Sequence, residues 1–182
     1  METHLILHCS PTLAGIKTAN LFSHAFTSAA MLMDSLSAVN KTLNPKGIHA
    51  EALRIREGKA LILVYRSSRL QDDLNQKGAG EFLTGYGYRD SSIDGRIARL
   101  KERCMSHSGF PHEIGLFLGY PLCDVIGFIE NKGKNSRHTG CWKVYQNEHE
   151  SVRLFNQFQK CKNIYTRLFL QGRPIERLIV AA

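Results

Sequence analysis

Apolar side chains recur at helical spacing in the segment that follows residue 28. They occupy every third or fourth position, at Ala29, Leu32, Leu36, Val39 and Leu43. This period predicts an amphipathic helix that buries one face. Asn-Pro-Lys-Gly at 44–47 predicts the end of the helix, because proline and glycine interrupt helical structure.

After this helix, the apolar residues recur at every second position, which is the period of a β-strand. Apolar and charged residues alternate in 52–56, whereas 59–66 is apolar throughout its interior. Two such segments joined by Glu57 and Gly58 predict a β-hairpin. Because the second arm is apolar on both faces, it is expected in the middle of a sheet that is covered on both sides.

Weaker patterns predict the remaining elements. A short helix at 5–8 is expected to stop near Pro11, because the residue before a proline avoids the helical region. The segment 13–22 is expected to be extended. Apolar stripes and proline or glycine boundaries predict further helices at 68–88 (one or two short ones), 93–104, 110–119, 121–130 and 150–170.

These elements together predict an α+β fold, with one compact domain over 1–182 and a small, mainly antiparallel sheet covered by helices. The helix at 150–170 is expected to pack across the sheet. The strands are expected near 13–21, 50–56, 59–66 and 141–146.

The composition agrees with a folded domain. Of the 182 residues, 43% are hydrophobic and 22% charged, which excludes a disordered chain. The five cysteines include no Cys-x-x-Cys pair and are odd in number, so neither a secreted disulfide framework nor a zinc ribbon is expected. Neither a signal peptide nor a membrane-spanning segment is recognisable. A cytoplasmic protein with reduced thiols and no membrane association is therefore predicted.

Positive charge concentrates at the carboxy-terminal end. The net charge is +8, and residues 151–182 contribute +5 of it. Arg153, Lys160 and Arg167 follow one another every seven residues, which places them on one face of the predicted last helix. This face is interpreted as a docking surface for an acidic protein, such as a flavodoxin-like protein, or for nucleic acid, although no nucleic-acid-binding motif accompanies it. The alternative is an ordinary solvated helix face.

Four segments of the chain resemble one protein family. They are HCSPTLAGIKTANLF at 8–22, FPHEIGLFLGYPL at 110–122, GFIENKGKN at 127–135 and WKVY at 142–145. Together they resemble, over nearly the whole chain, a bacterial family known as domain of unknown function 3793, which is found mainly in anaerobic Firmicutes. The resemblance implies no assigned activity, and it points towards redox or iron physiology.

The resemblance implies a set of candidate site residues. They are Cys9 and Lys17 in the first segment, His112 and Glu113 in the second, Glu130, Asn131, Lys132 and Lys134 in the third, and Trp142 and Tyr145 in the fourth. Cys161 also lies where the family is expected to have a cysteine. Cys141 departs from the family pattern, in which an aromatic residue precedes the tryptophan, so a chemical role for Cys141 is disfavoured.

Cys9 is the candidate nucleophile. A thiol beside a cation or a helix N-terminus ionises more readily, and His112 is the preferred base if the fold brings the two together. Glu113 either belongs to this catalytic group or interacts with the dipole at the start of its helix. The alternative for Cys9 is a buried side chain that packs as a small apolar group. His112 and Glu113 are too few ligands for a metal, so no metal site is predicted.

Anion binding is the second candidate chemistry. Lys17 lies in an apolar segment, so its ammonium must contact a carboxylate or phosphate, or reach solvent from an edge strand. The loop at 130–135 carries Lys132 and Lys134 on either side of a glycine. Such a loop can surround an anion with amides and ammonium groups, or it can be a plain helix C-cap.

Trp142 and Tyr145 can stack on a flat ligand, although a lone tryptophan in a strand is commonly a core residue. Two functions remain open. The first is a small-molecule enzyme, or a redox- or iron-linked accessory protein, with a small anionic ligand and a polar cleft around Cys9, His112 and 130–135. The alternative is a non-catalytic protein whose basic carboxy-terminal face binds an acidic protein or nucleic acid. The sequence identifies no cofactor.

Overall fold

Three antiparallel strands form the main sheet, in the order β1-β3-β2. They are β1 (Ala19–Ala25), β2 (Ile48–Arg56) and β3 (Lys59–Arg66). In the β2–β3 hairpin Arg56 lies opposite Lys59, and the two residues between them, Glu57 and Gly58, both have positive φ. A two-residue turn of this kind matches the twist of the strands it joins. The predicted hairpin is confirmed.

Helices cover this sheet in the computed structural model, which describes residues 1–106 and 109–181. The helices are α1 (Glu2–Leu13), α2 (Ala29–Leu43), α3 (Ser67–Asn75), α4 (Ala79–Thr84), α5 (Ile93–Met105), α6 (Ile114–Phe117), α7 (Leu122–Glu130) and α8 (Glu148–Leu170). A second, smaller hairpin consists of β4 (His138–Thr139) and β5 (Lys143–Val144). The fold is therefore α+β with a small antiparallel sheet, as the sequence predicts.

The central strand β3 is buried on both faces. Ile62 and Val64 point into a core formed with α1 and α2, whereas Leu63 and Tyr65 point into a second core formed with α3, α5 and the region of α6. The alternation follows from the strand period of two. The prediction that 59–66 is the covered, central strand is confirmed.

The helix expected at 5–8 is present, but its expected end near Pro11 and the expected start of the strand at residue 13 are wrong. Helix α1 continues through Pro11 to Leu13, and β1 begins only at Ala19. Apolar residues at helical spacing, including Leu5 and Cys9, are completely buried along α1. This burial offsets the backbone hydrogen bond that Pro11 cannot donate, which costs about 3 kcal/mol in a helix interior.

Other elements differ in extent or position. The helix expected at 110–119 is the single turn α6, since glycines at 115 and 119 lower the helix propensity. The strand expected at 141–146 is reduced to β5, which pairs with β4 apart from the main sheet. Helix α8 packs mainly along α1 rather than across the sheet, because α1 already covers β1.

The guanidinium of Arg66 lies at the junction of β3, α1 and the carboxy-terminal segment. It is buried, its Nε donates to the Thr12 carbonyl at 2.6 Å, and its Nη2 donates to the carbonyls of Leu13 at 2.8 Å and Val180 at 2.6 Å. The last carbonyls of a helix have no partners within the helix, and a cation is favourable there. Arg66 thus stabilises the end of α1 and ties the carboxy-terminal segment to it.

Arg66→Met is expected to lower the free energy of unfolding by about 3 kcal/mol or more, because it removes three hydrogen bonds from a charged donor, and each such bond contributes about 1.5–3 kcal/mol. Urea unfolding followed by circular dichroism measures the change. The matched control is Arg56→Met, whose partner is the exposed Glu57 and whose effect is expected to stay below about 0.5 kcal/mol. Equal losses in the two variants would contradict this role of Arg66.

Candidate functional site

A cavity of about 280 Å³ lies between α6, α7 and the β4–β5 hairpin. Aromatic side chains form much of its wall: Phe110 before α6, Tyr120 just before α7, Phe128 within α7, and Trp142 just before β5. Its polar lining side chains are His112, Asp124, Thr139 and Lys143. This cavity, the aromatic pocket, is the best-formed candidate for a ligand site, because ligand pockets are concave and mostly apolar with a few polar groups.

The aromatic rings of the pocket wall hold one another in place. The Tyr120 ring stacks on the Trp142 indole with centroids 4.8 Å apart, and Phe155 of α8 meets the other side of the indole edge-to-face at 4.5 Å. His112 contacts Phe128 edge-to-face at 5.0 Å. Such ring pairs are favourable beyond the area they bury. Trp142, which is only 8% exposed, is therefore fixed in the wall.

A single buried carboxylate attaches the hairpin to α7. Asp124 is 2% exposed, and its Oδ2 accepts the indole N–H of Trp142 at 2.8 Å. Its Oδ1 accepts the backbone N–H groups of Tyr145 at 2.7 Å and Gln146 at 3.0 Å. Hydrogen bonds to a charged acceptor are stronger than neutral ones. The position of Trp142 in the pocket therefore depends on Asp124.

Two glycines allow the hairpin to approach the helices closely. A Cβ on Gly127 of α7 would lie 2.6 Å from Cγ of Tyr145. A Cβ on Gly140 would lie 2.2 Å from Cδ2 of Phe155 in α8. Both distances are far shorter than van der Waals contact, so only glycine fits at these positions. The hairpin is thereby packed between α7 and α8.

The loop at 130–135 has the structure of a helix C-cap. The backbone N–H groups of residues 131–134 all donate to carbonyls within 127–131. Gly133 has a φ of +72°, the left-handed conformation that commonly ends a helix. No amide of residues 131–134 is thus left to bind an anion. The structure favours the C-cap alternative over the predicted anion site.

The side chains of this loop agree with the cap. Those of Glu130, Lys132 and Lys134 are exposed, and that of Asn131 donates to the Gly127 carbonyl at 2.8 Å. Two side chains of the hairpin region contact the loop backbone. Lys143 Nζ donates to the Gly133 carbonyl, and the Tyr145 hydroxyl donates to the Lys134 carbonyl at 2.9 Å. The loop therefore supports the hairpin beside the aromatic pocket.

Lys17 is buried in the turn between α1 and β1, not in the edge strand considered from the sequence. Its Nζ donates to the carbonyls of Ala19 and, at 2.9 Å, Leu118, and it lies 5.1 Å from the centre of the Tyr120 ring. Burial lowers the pKa of Lys17 to about 8. Carbonyl dipoles and an aromatic face stabilise an ammonium, so Lys17 connects the first core region to the wall of the aromatic pocket.

Cys9 does not have the surroundings of a nucleophile. It is 0% exposed within the core beneath α1, and burial raises the pKa of its thiol. The thiolate, which is the reactive form, is therefore disfavoured. His112 lies at the aromatic pocket, which Cys9 does not line. The structure gives the thiol mechanism no support and favours the alternative, in which Cys9 packs as a small apolar group.

The remaining cysteines are also free. Burial raises the pKa of the half-buried Cys161 to about 11, so this thiol too stays protonated at neutral pH. Cys141 is exposed, and its carbonyl accepts the Tyr120 hydroxyl at 3.3 Å. Neither thiol lies in the aromatic pocket.

Glu113 interacts with an arginine rather than with a helix dipole. It is 1% exposed, and its Oε1 accepts the Arg103 Nε–H at 2.7 Å and the Tyr88 hydroxyl at 3.2 Å. It precedes α6, which is a single turn. Glu113 is therefore engaged in an ion pair in the second core and does not line the aromatic pocket beside His112.

The basic stripe of α8 lies on the surface. Arg153, Lys160 and Arg167 are all exposed, and none of them forms an ion pair within residues 1–106 and 109–181. On the opposite side of α8, Phe158 packs against Trp142 and Val144. The amphipathic pattern of the helix is confirmed, whereas docking stays a prediction.

The structure thus brings together part of the predicted site. His112 and Trp142 line the aromatic pocket, and Tyr145 with the loop at 130–135 supports it. Lys17 lies behind Tyr120. Cys9 and Glu113 lie elsewhere.

Sequence reasoning missed Asp124 and Phe128. Both lie in the apolar segment Leu-Cys-Asp-Val-Ile-Gly-Phe-Ile at 122–129, where an acid in the first helical turn is ordinarily explained by the helix dipole. The sequence did contain one signal: Asp124 is the single charged residue within the apolar segment 122–129, and a carboxylate that such a segment buries needs hydrogen-bond donors.

These features define the chain as an α+β protein with an aromatic-lined pocket built from the segments around 110–122, 127–135 and 142–145. The model of a family described as protein of unknown function (DUF3793) matches residues 5–179. The chain belongs to this family, as the resemblance predicts. Neither a curated protein nor a solved structure matches the chain significantly.

No helix within 1–106 and 109–181 is long and apolar enough to cross a bilayer. In the same part of the chain, no group of three or more His, Cys, Asp and Glu side chains is arranged to hold a metal ion.

Asp124→Asn is expected to lower the free energy of unfolding by about 2 kcal/mol and to shift the Trp142 emission to longer wavelength, because hydrogen bonds to a charged group contribute about 1.5–3 kcal/mol. Trp142 is the only tryptophan of the chain, so its fluorescence reports on this site alone. Asp34→Asn, at an exposed position of α2, is the matched control. An emission spectrum that Asp124→Asn leaves unchanged would show that the carboxylate does not position Trp142.

Proposed function

We propose that the protein binds a small molecule with a flat aromatic body and an acidic group in the aromatic pocket. The observation that carries this proposal is the enclosure of a cavity of about 280 Å³ by Tyr120, Phe128 and Trp142. Flat rings favour a flat ligand through offset or edge-to-face contacts. The proposal keeps the small-molecule hypothesis and moves its centre from Cys9 to this pocket.

The charge of the pocket supports an acidic ligand. The oxygens of Asp124 already accept three N–H groups, which compensate its negative charge. The other polar side chains of the lining are Lys143, His112 and Thr139. Lysine donates hydrogen bonds only, and its bonds to an anion are charge-assisted. A ligand that carries a carboxylate or sulfonate is therefore complementary. The link to redox or iron physiology stays a prediction of the resemblance.

Anilinonaphthalene sulfonate is a suitable probe, because it is flat, aromatic and anionic. We expect one probe per chain to quench Trp142 by energy transfer. Phe128→Ala is expected to weaken binding several-fold, since an aromatic contact contributes about 0.5–1.5 kcal/mol beyond its area. Lys143→Met is expected to weaken it about tenfold or more, since a charge-assisted hydrogen bond contributes about 1.5–3 kcal/mol. Fluorescence titration measures both effects.

The matched control is Lys59→Met, which removes the same charge from an exposed position of β3. This variant is expected to bind the probe as the original chain does. Equal weakening by Lys59→Met and Lys143→Met, or unaltered titration of Phe128→Ala and Lys143→Met, would refute binding in the aromatic pocket.

A second candidate function is docking of an acidic partner on α8. The observation in its favour is that Arg153, Lys160 and Arg167 share one exposed face and form no ion pair among the described residues. Uncompensated charges on one face attract a surface of opposite sign, and salt weakens the attraction. An acidic protein is the favoured partner, since no nucleic-acid-binding motif accompanies the stripe.

Replacing the three stripe residues by glutamate is expected to abolish retention on a polyglutamate resin at low salt, because six units of charge reverse the sign of this face. Retention of the original chain should fall steeply as salt rises. The control is the triple glutamate variant of Lys41, Lys59 and Lys77, which are exposed and lie outside α8. If both triple variants lose retention equally, net charge and not the stripe is responsible.

A further inference from the structure

A second cavity, of about 340 Å³, lies on the other side of Tyr120, between α1, the start of β1 and α8. Leu118 and Tyr120 line both cavities. The nitrogen-bearing side chains that line the second cavity are His8, Lys17, Asn20, Gln159 and Lys162. None of the lining side chains that the structure describes is acidic. This second cavity is the basic cavity.

The positive charge of Lys17 has no carboxylate to compensate it. Its ammonium contacts two carbonyls and the Tyr120 ring, and no acidic side chain within residues 1–106 and 109–181 hydrogen-bonds to it. Asp73 acts on it only from beyond contact and accepts a hydrogen bond from Thr18. A buried ammonium without a counter-charge is unfavourable. Lys17 therefore favours an anion in the cavity that it lines.

The opposite wall adds further positive charge. Lys162 of α8 forms no ion pair in the described part of the chain. Burial lowers the pKa of His8 on α1, with smaller contributions from His4 and Lys162. Lys17 and Lys162 thus line the same cavity without an acidic neighbour among the described residues of its wall. A bound anion would be attracted by both ammonium groups.

Asn20 is oriented to donate. Its Oδ1 accepts the Thr12 hydroxyl at 2.7 Å, which leaves the amide NH2 of Asn20 for a ligand. Gln159, by contrast, already donates to Asn163 at 2.8 Å. The basic cavity therefore offers the neutral donor of Asn20 beside its cations.

We propose that the basic cavity binds the phosphate group of a small phosphorylated molecule. A phosphate carries close to two negative charges at neutral pH, which match the two lysines, whereas a carboxylate carries one. The cavity, of about 340 Å³, is larger than a single phosphate group, so it has room for more of the molecule than its phosphate. This site is separate from the aromatic pocket, and the proposal does not depend on the function assigned to that pocket.

Isothermal titration with inorganic pyrophosphate tests the site directly. The original chain is expected to bind one pyrophosphate saturably. Lys162→Gln is expected to weaken binding at least tenfold, because it removes one cation from the wall. Lys17→Met is expected to weaken it further, and circular dichroism shows whether this buried substitution is folded. Acetate at equal ionic strength is expected to bind at least tenfold more weakly than pyrophosphate.

The matched control is Lys41→Gln, which removes one charge at an exposed position of α2 and should leave pyrophosphate binding unchanged. Absence of saturable binding to the original chain, or equal weakening by Lys41→Gln and Lys162→Gln, would overturn the proposal. Acetate that binds as tightly as pyrophosphate would overturn the assignment to phosphate. Titration of Lys162→Gln with anilinonaphthalene sulfonate distinguishes the two sites, because that probe is expected to bind the aromatic pocket of this variant as it binds the original chain.

Discussion

The carboxylate of Asp124 is the group on which the candidate site depends. The β4–β5 hairpin is too short to be stable alone, since an isolated two-stranded hairpin is marginal in water. Asp124 attaches it to α7 through the indole of Trp142 and two backbone N–H groups. Gly127 and Gly140 allow the close packing that those hydrogen bonds need. The wall of the aromatic pocket therefore follows from one buried charge and the donors that surround it.

The hydrogen bonds of Asp124 also influence the charge of the aromatic pocket. Because the negative charge of Asp124 is compensated within the protein, Lys143 and His112 determine what the aromatic pocket attracts. On the other side of Tyr120, Lys17 presents an uncompensated charge to the basic cavity. Both cavities are therefore proposed to bind negatively charged groups, one with an aromatic body and the other with a phosphate. The shared wall of Leu118 and Tyr120 places these two preferences side by side.

Local patterns predicted the elements whose burial follows a simple period. The helix with Leu32 and Leu36 and the central strand with Ile62 and Val64 are confirmed, because each pattern is set by residues close in sequence. The continuation of α1 through Pro11 was not predictable locally, since its stability comes from packing against distant segments. Likewise, His112 and Trp142 were found in the sequence as single candidates. Asp124, whose partners lie 18 to 22 residues away, holds Trp142 at the pocket, and Phe128 contacts His112 there.

Hydrogen exchange of the Tyr145 and Gln146 amides tests the account most directly, because these two N–H groups donate to Asp124. If the carboxylate holds the hairpin on α7, both amides should exchange orders of magnitude more slowly than in an unstructured peptide, since exchange then requires this contact to open. Nuclear magnetic resonance resolves them individually, with the Leu63 amide of β3 as an internal reference for the folded core. Rapid exchange of both amides while Leu63 stays protected would contradict the central role of Asp124.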